Sequence, residues 1–417
     1  MEEAQQKNDM KSLYTTLKRL SGKFKTVSDT IKKADETFAN SEAERLLRWQ
    51  EYFQQLLNHP APQEPPATPL ALQRPTKPAQ DKPPTLSEVI QNIRALKNGK
   101  APGPDEVVAE SLKAGGQILA ERLHRLILTI WNTGVIPSAW KKAVIIPIHK
   151  KGDKQDCSNY RGISLLSITG KVFMRILQNR LQEHHEQLAR EEQAGFRPTR
   201  GCCDQIFTLR QLMEERSRCG LRTVIVFVDF RAAFDSVHWP ALWSALEAEH
   251  FPERLVHLIR NTYAHGSSCV RIKQSCSANF AVQSRVRQGC VLSPLLFNVV
   301  IDAIMRQALN RHRGVQLGEA DFITDLAYAD DSAIFANNDA EATDILYAVA
   351  RAACPYGLHI NVGKTKVLTT DGTTATVHLD GELVEQVPEF RYLGLPPFQP
   401  FYMVLKPGLF FKPTPTG

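Results

Sequence analysis

The chain contains no run of about 18 consecutive apolar residues, so no segment reads as a transmembrane helix. Its first residues, MEEAQQKNDMKS, are charged where a secretory signal needs an apolar centre, and an intracellular protein is expected. None of the eight cysteines forms a C-x-x-C pair, and no histidine stands at zinc-site spacing from them. Disulfides and structural zinc are set aside, and the cysteines are expected to be reduced packing residues. His184-His185 lies in a polar helical stretch without a partner cysteine and is expected on a solvated face. Internal repeats are absent as well.

What is present is an ordinary globular composition with uneven charge. At 417 residues and 43% hydrophobic content, the chain can bury a sizeable core and suggests two or three units. Net charge is +7, and residues 141–180 alone hold nine Lys or Arg against Asp153 and Asp156, so the remainder is balanced. Such a concentration is a candidate phosphate-binding surface.

Residues 1–59 read as a helical N-terminal segment. Leu13, Leu17 and Leu20 share one face, and Ser41 with Glu44 makes a capping box ahead of the stripe Leu46, Trp49, Phe53 and Leu56. Residues 60–84 hold nine of the 25 prolines and read as an extended linker and domain boundary. A second capping box, Thr85 with Glu88, starts a helix that Asn98-Gly99 stops, and a further helix ends at Gly134. Strands are expected at AVIIPIH (143–149), at its return NYRGISLL, and at TVIVFVDF (223–230), a β-branched run typical of burial on both faces. Ser293 as N-cap and Pro294 open another helix. Strands mixed with helices covering one face predict an α+β domain over residues 85–395.

Inside this pattern, LAYADDSAIF (326–335) sets two adjacent carboxylates, Asp330 and Asp331, in an apolar stretch. A hairpin turn would accept acids. Asp-Asp is nevertheless a poor two-residue turn, because those positions favour Asn-Gly or Asp-Gly. A third acid, Asp229, ends the strand TVIVFV, where an unpaired charge is costly unless it caps a helix or lies in a turn. Three carboxylates brought to one sheet edge suit hard divalent cations, and Mg²⁺ prefers oxygen ligands. Two such ions would activate an attacking hydroxyl and stabilise the leaving oxygen of an in-line phosphoryl displacement.

The order of further motifs carries a resemblance. YADD (328–331), with VDFRAAFDSV a hundred residues upstream, looks like the palm of a reverse transcriptase. NGKAPGPD (98–105), IPIHKKGD (146–153), NYRGISLL (159–166), QAGFRPTRG (193–201), RQGCVLSPLLFNV (287–299), GLHINVGKTK (357–366) and FRYLG (390–394) resemble, in order, those of the non-LTR (LINE-type) retrotransposon polymerases. The resemblance implies right-hand polymerase fingers and palm, with a ferredoxin-like palm sheet that carries helices on one face. Two Mg²⁺ ions, with Mn²⁺ as alternative, would be held by Asp229 and Asp330 with Asp331 in support and the Phe230 carbonyl completing a site. Phe234 would exclude a 2′-hydroxyl, its alternative being a core ring. Lys150 and Arg161 would hold the triphosphate, or else be solvated cations. Gln288 and Gly289 would meet nucleotide and template, although a turn before a helix also explains the glycine. Lys364 would protonate the pyrophosphate leaving group, against a plain surface lysine.

Implied partners are an RNA template, a DNA primer and dNTPs, with no membrane, and the nucleus is the expected location if the chain acts as the family does, the cytoplasm being the alternative. Ala232 stands where many relatives have Lys. No nuclease domain is expected before the polymerase, and residues 396–417 read as an irregular tail in place of a helical thumb. Three readings follow: an RNA-directed DNA polymerase, a catalytically impaired nucleic-acid-binding relic of a truncated element, and a two-metal nuclease. The last leaves the NYRG and RQGC segments without a task.

Overall fold

The computed structural model describes residues 30–60, 62, 64, 81–284, 286–309, 314–317 and 321–394. Leu13, Leu17 and Leu20, most of the proline-rich stretch and the tail expected to replace a thumb lie outside the described residues. Helices α1 (Glu42–Leu56), α2 (Leu86–Arg94) and α3 (Gly116–Thr133) precede strands β1 (Lys142–His149) and β2 (Tyr160–Leu166). Helices α4 (Ile168–Leu188) and α5 (Cys202–Arg218), strand β3 (Val224–Val228), helix α6 (Trp239–Ala248) and strand β4 (Ser267–Ile272) follow. Helix α7 (Ser293–Leu309), strands β5 (Asp325–Tyr328) and β6 (Asp331–Ala336), helix α8 (Asp339–Ala353) and strand β7 (Lys366–Thr369) complete the frame.

Local signals set many of these boundaries. Both capping boxes form, at Ser41 with Glu44 and at Thr85 with Glu88. Helix α3 stops on Gly134 at φ 73°. Ser293 instead lies inside α7, where its hydroxyl donates to the Arg287 carbonyl at 2.7 Å. The expectation of helix throughout residues 1–59 needs correcting, because Ile31–Lys32 and Phe38–Ala39 form a small antiparallel hairpin. Tertiary contacts favour it: Ile31 is buried with Trp49, and the Lys32 amide donates to the Gln155 carbonyl at 2.9 Å.

Four antiparallel strands in the order β5-β6-β3-β7 build the central sheet. Alternate residues of β3 enter different cores. Val224, Val226 and Val228 join the large cluster that α6, α7 and α8 share, while Ile225 and Phe227 join Leu209, Leu212 and Met213 of α5. Phe390 stacks on Phe227 at 4.1 Å on that second face. The sheet is therefore covered on both faces rather than by helices on one, which is why β3 is apolar at every position.

A second sheet runs β2-β1-β4, with β1 antiparallel to β2 and parallel to β4. Trp49 and Phe53 of α1 pack on Ile145, Tyr160, Val270 and Phe280 of this region, so the segment before the proline-rich stretch shares a core with the chain after it. Each such apolar side chain contributes about 1.5–3 kcal/mol of burial.

Burial also revises two expectations about charge. His184 and His185 are buried, not solvated. His184 Nε2 lies 3.0 Å from the Glu249 carbonyl oxygen, and burial followed by Arg197 and Arg306 pushes His185 down to about 3. The basic run divides in two. Arg180 pairs with Glu88 at 3.0 Å and lies over Trp131, and Arg175 donates to the Ala95 carbonyl. Lys142, Lys150, Lys151, Lys154 and Arg161 remain exposed. All eight cysteines are free, and only Cys157 and Cys290 are buried.

Candidate active site

Strand β3 delivers Asp229, and the hairpin β5–β6 delivers the other two acids. The last β6–β3 pair is Ser332 with Val228, so one further step of the register brings Asp331 level with Asp229. The hairpin closes on the pair Tyr328 with Asp331, leaving Ala329 and Asp330 as a two-residue turn with Ala329 at φ 60°. Asp330 thus lies in the turn, Asp331 opens β6, and both belong to the acid cluster. Asp229 is fixed from its other side: its carbonyl accepts from the Asn361 amide at 2.7 Å, and its amide donates to Thr365 Oγ1 at 3.3 Å. The same loop carries Lys364, whose Nζ lies 3.7 Å from Asp229 Oδ2.

The acids feel burial and one another. Burial, then Asp330 and Asp229, pushes Asp331 up to about 6. Asp330 is also raised, by burial and by Asp229, against the opposing pull of its own backbone amide and Arg161. Asp229 Oδ2 is buried without a hydrogen-bond donor. Among the described residues no group of three His, Cys, Asp or Glu side chains stands ready to hold a metal ion. The donor chemistry nevertheless fits a hard cation: the candidate ligands are all oxygens, Asp229 Oδ2 is buried and lacks a donor, and burial followed by the neighbouring carboxylates disfavours ionisation of Asp331. The Phe230 backbone is pinned by a bridge to Ile360.

The predicted cations gather beside this edge. Lys150, just after β1, is held below its ordinary value by burial first and then by Arg161, with Asp235 opposing and Lys364 adding to the depression. Arg161 sits on β2 opposite Ile148, so the two arms of the hairpin do present Lys150 and Arg161 together. Gln288 Nε2 donates to Asp235 Oδ2 at 2.7 Å, and its carbonyl accepts from the Ser164 amide at 2.9 Å. Gly289 has φ 113°, and a Cβ there would lie 2.5 Å from the Ser164 carbonyl oxygen. Strand β2 by itself therefore excludes a side chain at 289. The Phe234 ring is half-buried, stacked on Phe297 at 4.2 Å and edge-on to Phe196 at 6.3 Å.

Two site residues were missed in the sequence. Asp235 orients Gln288, and Gln193 is fully buried against the acidic turn. The only signal for Gln193 was its place in QAGFRPTRG, which says nothing of a partner more than a hundred residues away.

The carboxylates at this sheet edge thus have cations for neighbours, with Lys364 at 3.7 Å from Asp229 and Arg161 acting on Asp330. The family profile for reverse transcriptase (RNA-dependent DNA polymerase) matches residues 148–396, and the chain belongs to that family. Among its relatives, the transposon TX1 uncharacterized 149 kDa protein of Xenopus laevis is 30% identical over 64% of this chain and 21% of its own length. The probable RNA-directed DNA polymerase from transposon BS of Drosophila melanogaster is 28% identical over 79% of this chain and 36% of its own. The RNA-directed DNA polymerase from mobile element jockey, from the same fly, is 28% identical over 75% of this chain and 35% of its own. These names agree with the non-LTR resemblance, and the chain spans about a third or less of each relative. Among the described residues no helix is long and apolar enough to cross a membrane.

Proposed function

We propose that the chain is the RNA-directed DNA polymerase portion of a non-LTR retrotransposon protein, with the central sheet as palm and the β2-β1-β4 sheet as fingers. The observation that carries this reading is the meeting of Asp229, Asp330 and Asp331 at one sheet edge beside Lys364 and the exposed cations of the β1–β2 hairpin. Asp229 and Asp330 would hold two Mg²⁺ ions (or Mn²⁺), with Asp331 in support and the Phe230 carbonyl as a further ligand. Bound there, the pair would ease loss of the primer 3′-hydroxyl proton and stabilise the leaving oxygen. Lys150 and Arg161 would grip the triphosphate of a dNTP, Arg161 through paired donors. Lys364, largely exposed and able to swing from Asp229, would give a proton to the departing pyrophosphate. Phe234, braced by Phe297, would close the space a 2′-hydroxyl needs. An RNA template and a DNA primer would lie along the same edge, and the nucleus is the place where such a protein would act.

Primer extension on poly(rA)–oligo(dT), with and without Mg²⁺, tests the reading. Metal-dependent addition of dTMP is expected. Tight binding without extension would favour the relic, and degradation of the strand would favour the nuclease.

A further inference from the structure

The segment that ends at Gly195 runs beside β5 and holds it at every second residue. Arg190 donates through both terminal nitrogens to the Asp325 carboxylate, at 3.0 and 2.5 Å. Two residues on, the Ala327 amide donates to the Glu192 carbonyl and the Ala327 carbonyl accepts from the Ala194 amide, both at 2.9 Å. Two further on, the Ala329 amide donates to Gln193 Oε1 at 2.9 Å. The same oxygen accepts from the Gly195 amide at 2.8 Å, and Gln193 Nε2 lies 3.4 Å from the Ala329 carbonyl. The rail fits closely: a Cβ at Gly195 would stand 2.2 Å from the Ala329 nitrogen. Asn298 of α7 secures it from behind, donating to the Gly195 carbonyl at 2.6 Å.

Ala329 needs that support. Its φ of 60° is left-handed, a conformation that disfavours any residue with a Cβ. A two-residue turn with positive φ at its first position ordinarily takes Gly, Asn or Asp there. Alanine has no side-chain donor or acceptor to compensate, so the support must come from outside the turn. Gln193 is fully buried and its amide is spent on Ala329 and Gly195.

We propose that Gln193 is the positioning residue of the acidic turn, its amide holding Ala329 in the left-handed conformation that sets Asp330 and Asp331 beside Asp229. The proposal rests on reading those acids as the catalytic set, and its test has one arm that needs no catalysis.

Gln193→Met keeps the volume and removes the acceptor, Ala329→Gly removes the strain, and the double variant combines them. Amide hydrogen exchange on the full chain reads the turn directly. Gln193→Met should speed exchange at Ala329 about 10-fold, as expected for one lost buried hydrogen bond, with the β3 amides unchanged. Gln193→Glu keeps an acceptor oxygen and should retain most of the protection, which serves if the Met variant fails to fold. In primer extension Gln193→Met should lose about 10-fold in kcat with the dNTP KM held within about 2-fold, the signature of a misplaced catalytic group. Adding Ala329→Gly should recover most of that loss, because glycine adopts φ 60° unaided. Unchanged exchange at Ala329 in Gln193→Met, or a double variant no faster than Gln193→Met alone, overturns the proposal. A wild-type chain that extends no primer overturns the functional reading instead and leaves the exchange arm to decide this one.

Discussion

Two sets of carboxylates stand at the two ends of β5 and differ in the cations that compensate them. At its start, Asp325 is held by Arg190, and behind it Arg306 pairs with Glu249 and lies 3.9 Å from Asp302. At its far end, Asp229, Asp330 and Asp331 have no arginine within ion-pair distance among the described residues. Among the described residues their one ion pair is with Lys364, whose side chain is 70% exposed. Burial raises acids in both sets: Asp302 to about 6, Glu249 to about 7 even beside Arg306, and Asp331 to about 6. Fixed arginines make the first set part of the scaffold. The second set has only an exposed lysine at ion-pair distance and lies at a solvent-reachable edge, which is consistent with the proposed site for an outside cation.

The comparison breaks most easily at the end proposed to be catalytic. Asp229→Ala or Asp330→Ala should lower kcat for primer extension by roughly 10³-fold or more, since removing a metal ligand forfeits several kcal/mol of charge stabilisation. Primer–template affinity should stay within a few-fold, because the exposed cations lie on the β1–β2 hairpin. The melting temperature should hold or rise as repulsion is relieved. Either variant extending a primer near the wild-type rate would merge the two sets. Arg190→Met should show the reverse pattern. It leaves Asp325 buried without its partner and should cost about 3–5 kcal/mol of stability, read as a lower melting temperature. A variant that melts with the wild type would show that Arg190 is no more structural than Lys364.

What was legible in the sequence was local. Apolar residues running directly into Asp229, and flanking Asp330 and Asp331, marked those acids because strand and charge are neighbours in the chain. Capping boxes and the Gly134 stop were legible for the same reason. What failed depended on distant partners. His184-His185 looked solvated until α6 and α7 brought Glu249 and Arg306 against it. Four of the nine cations in residues 141–180 looked available, yet Arg180 and Arg175 are used to hold α2, and Lys141 and Lys171 are partly buried. Gln193 and Ala329 are 136 residues apart, and neither residue type announces the other.

The finest test concerns pH at the scaffold end. Glu249 rises from 4.5 to about 7 in the fold, chiefly through burial, with Asp302 adding to the rise and Arg306 opposing it. A carboxyl raised on folding binds more protons folded than unfolded. Its contribution to stability is therefore complete below about pH 4.5 and is lost as pH climbs through 7. Asp302 behaves alike over a lower window, and His185, pushed down to about 3, stays neutral throughout. Glu249→Gln removes one slope and leaves the others, so the difference in melting temperature, variant minus wild type, should grow from pH 5 to pH 8. The free-energy change is at most about 3 kcal/mol, smaller to the extent that Arg306 moves to meet the ionised carboxylate. The same scan with Asp331→Asn should respond to added Mg²⁺, whereas the Glu249 variant should not. A pH-independent difference for Glu249→Gln would mean that Arg306 fully neutralises Glu249, and the contrast between paired and unpaired acids would then be sharper than burial alone suggests.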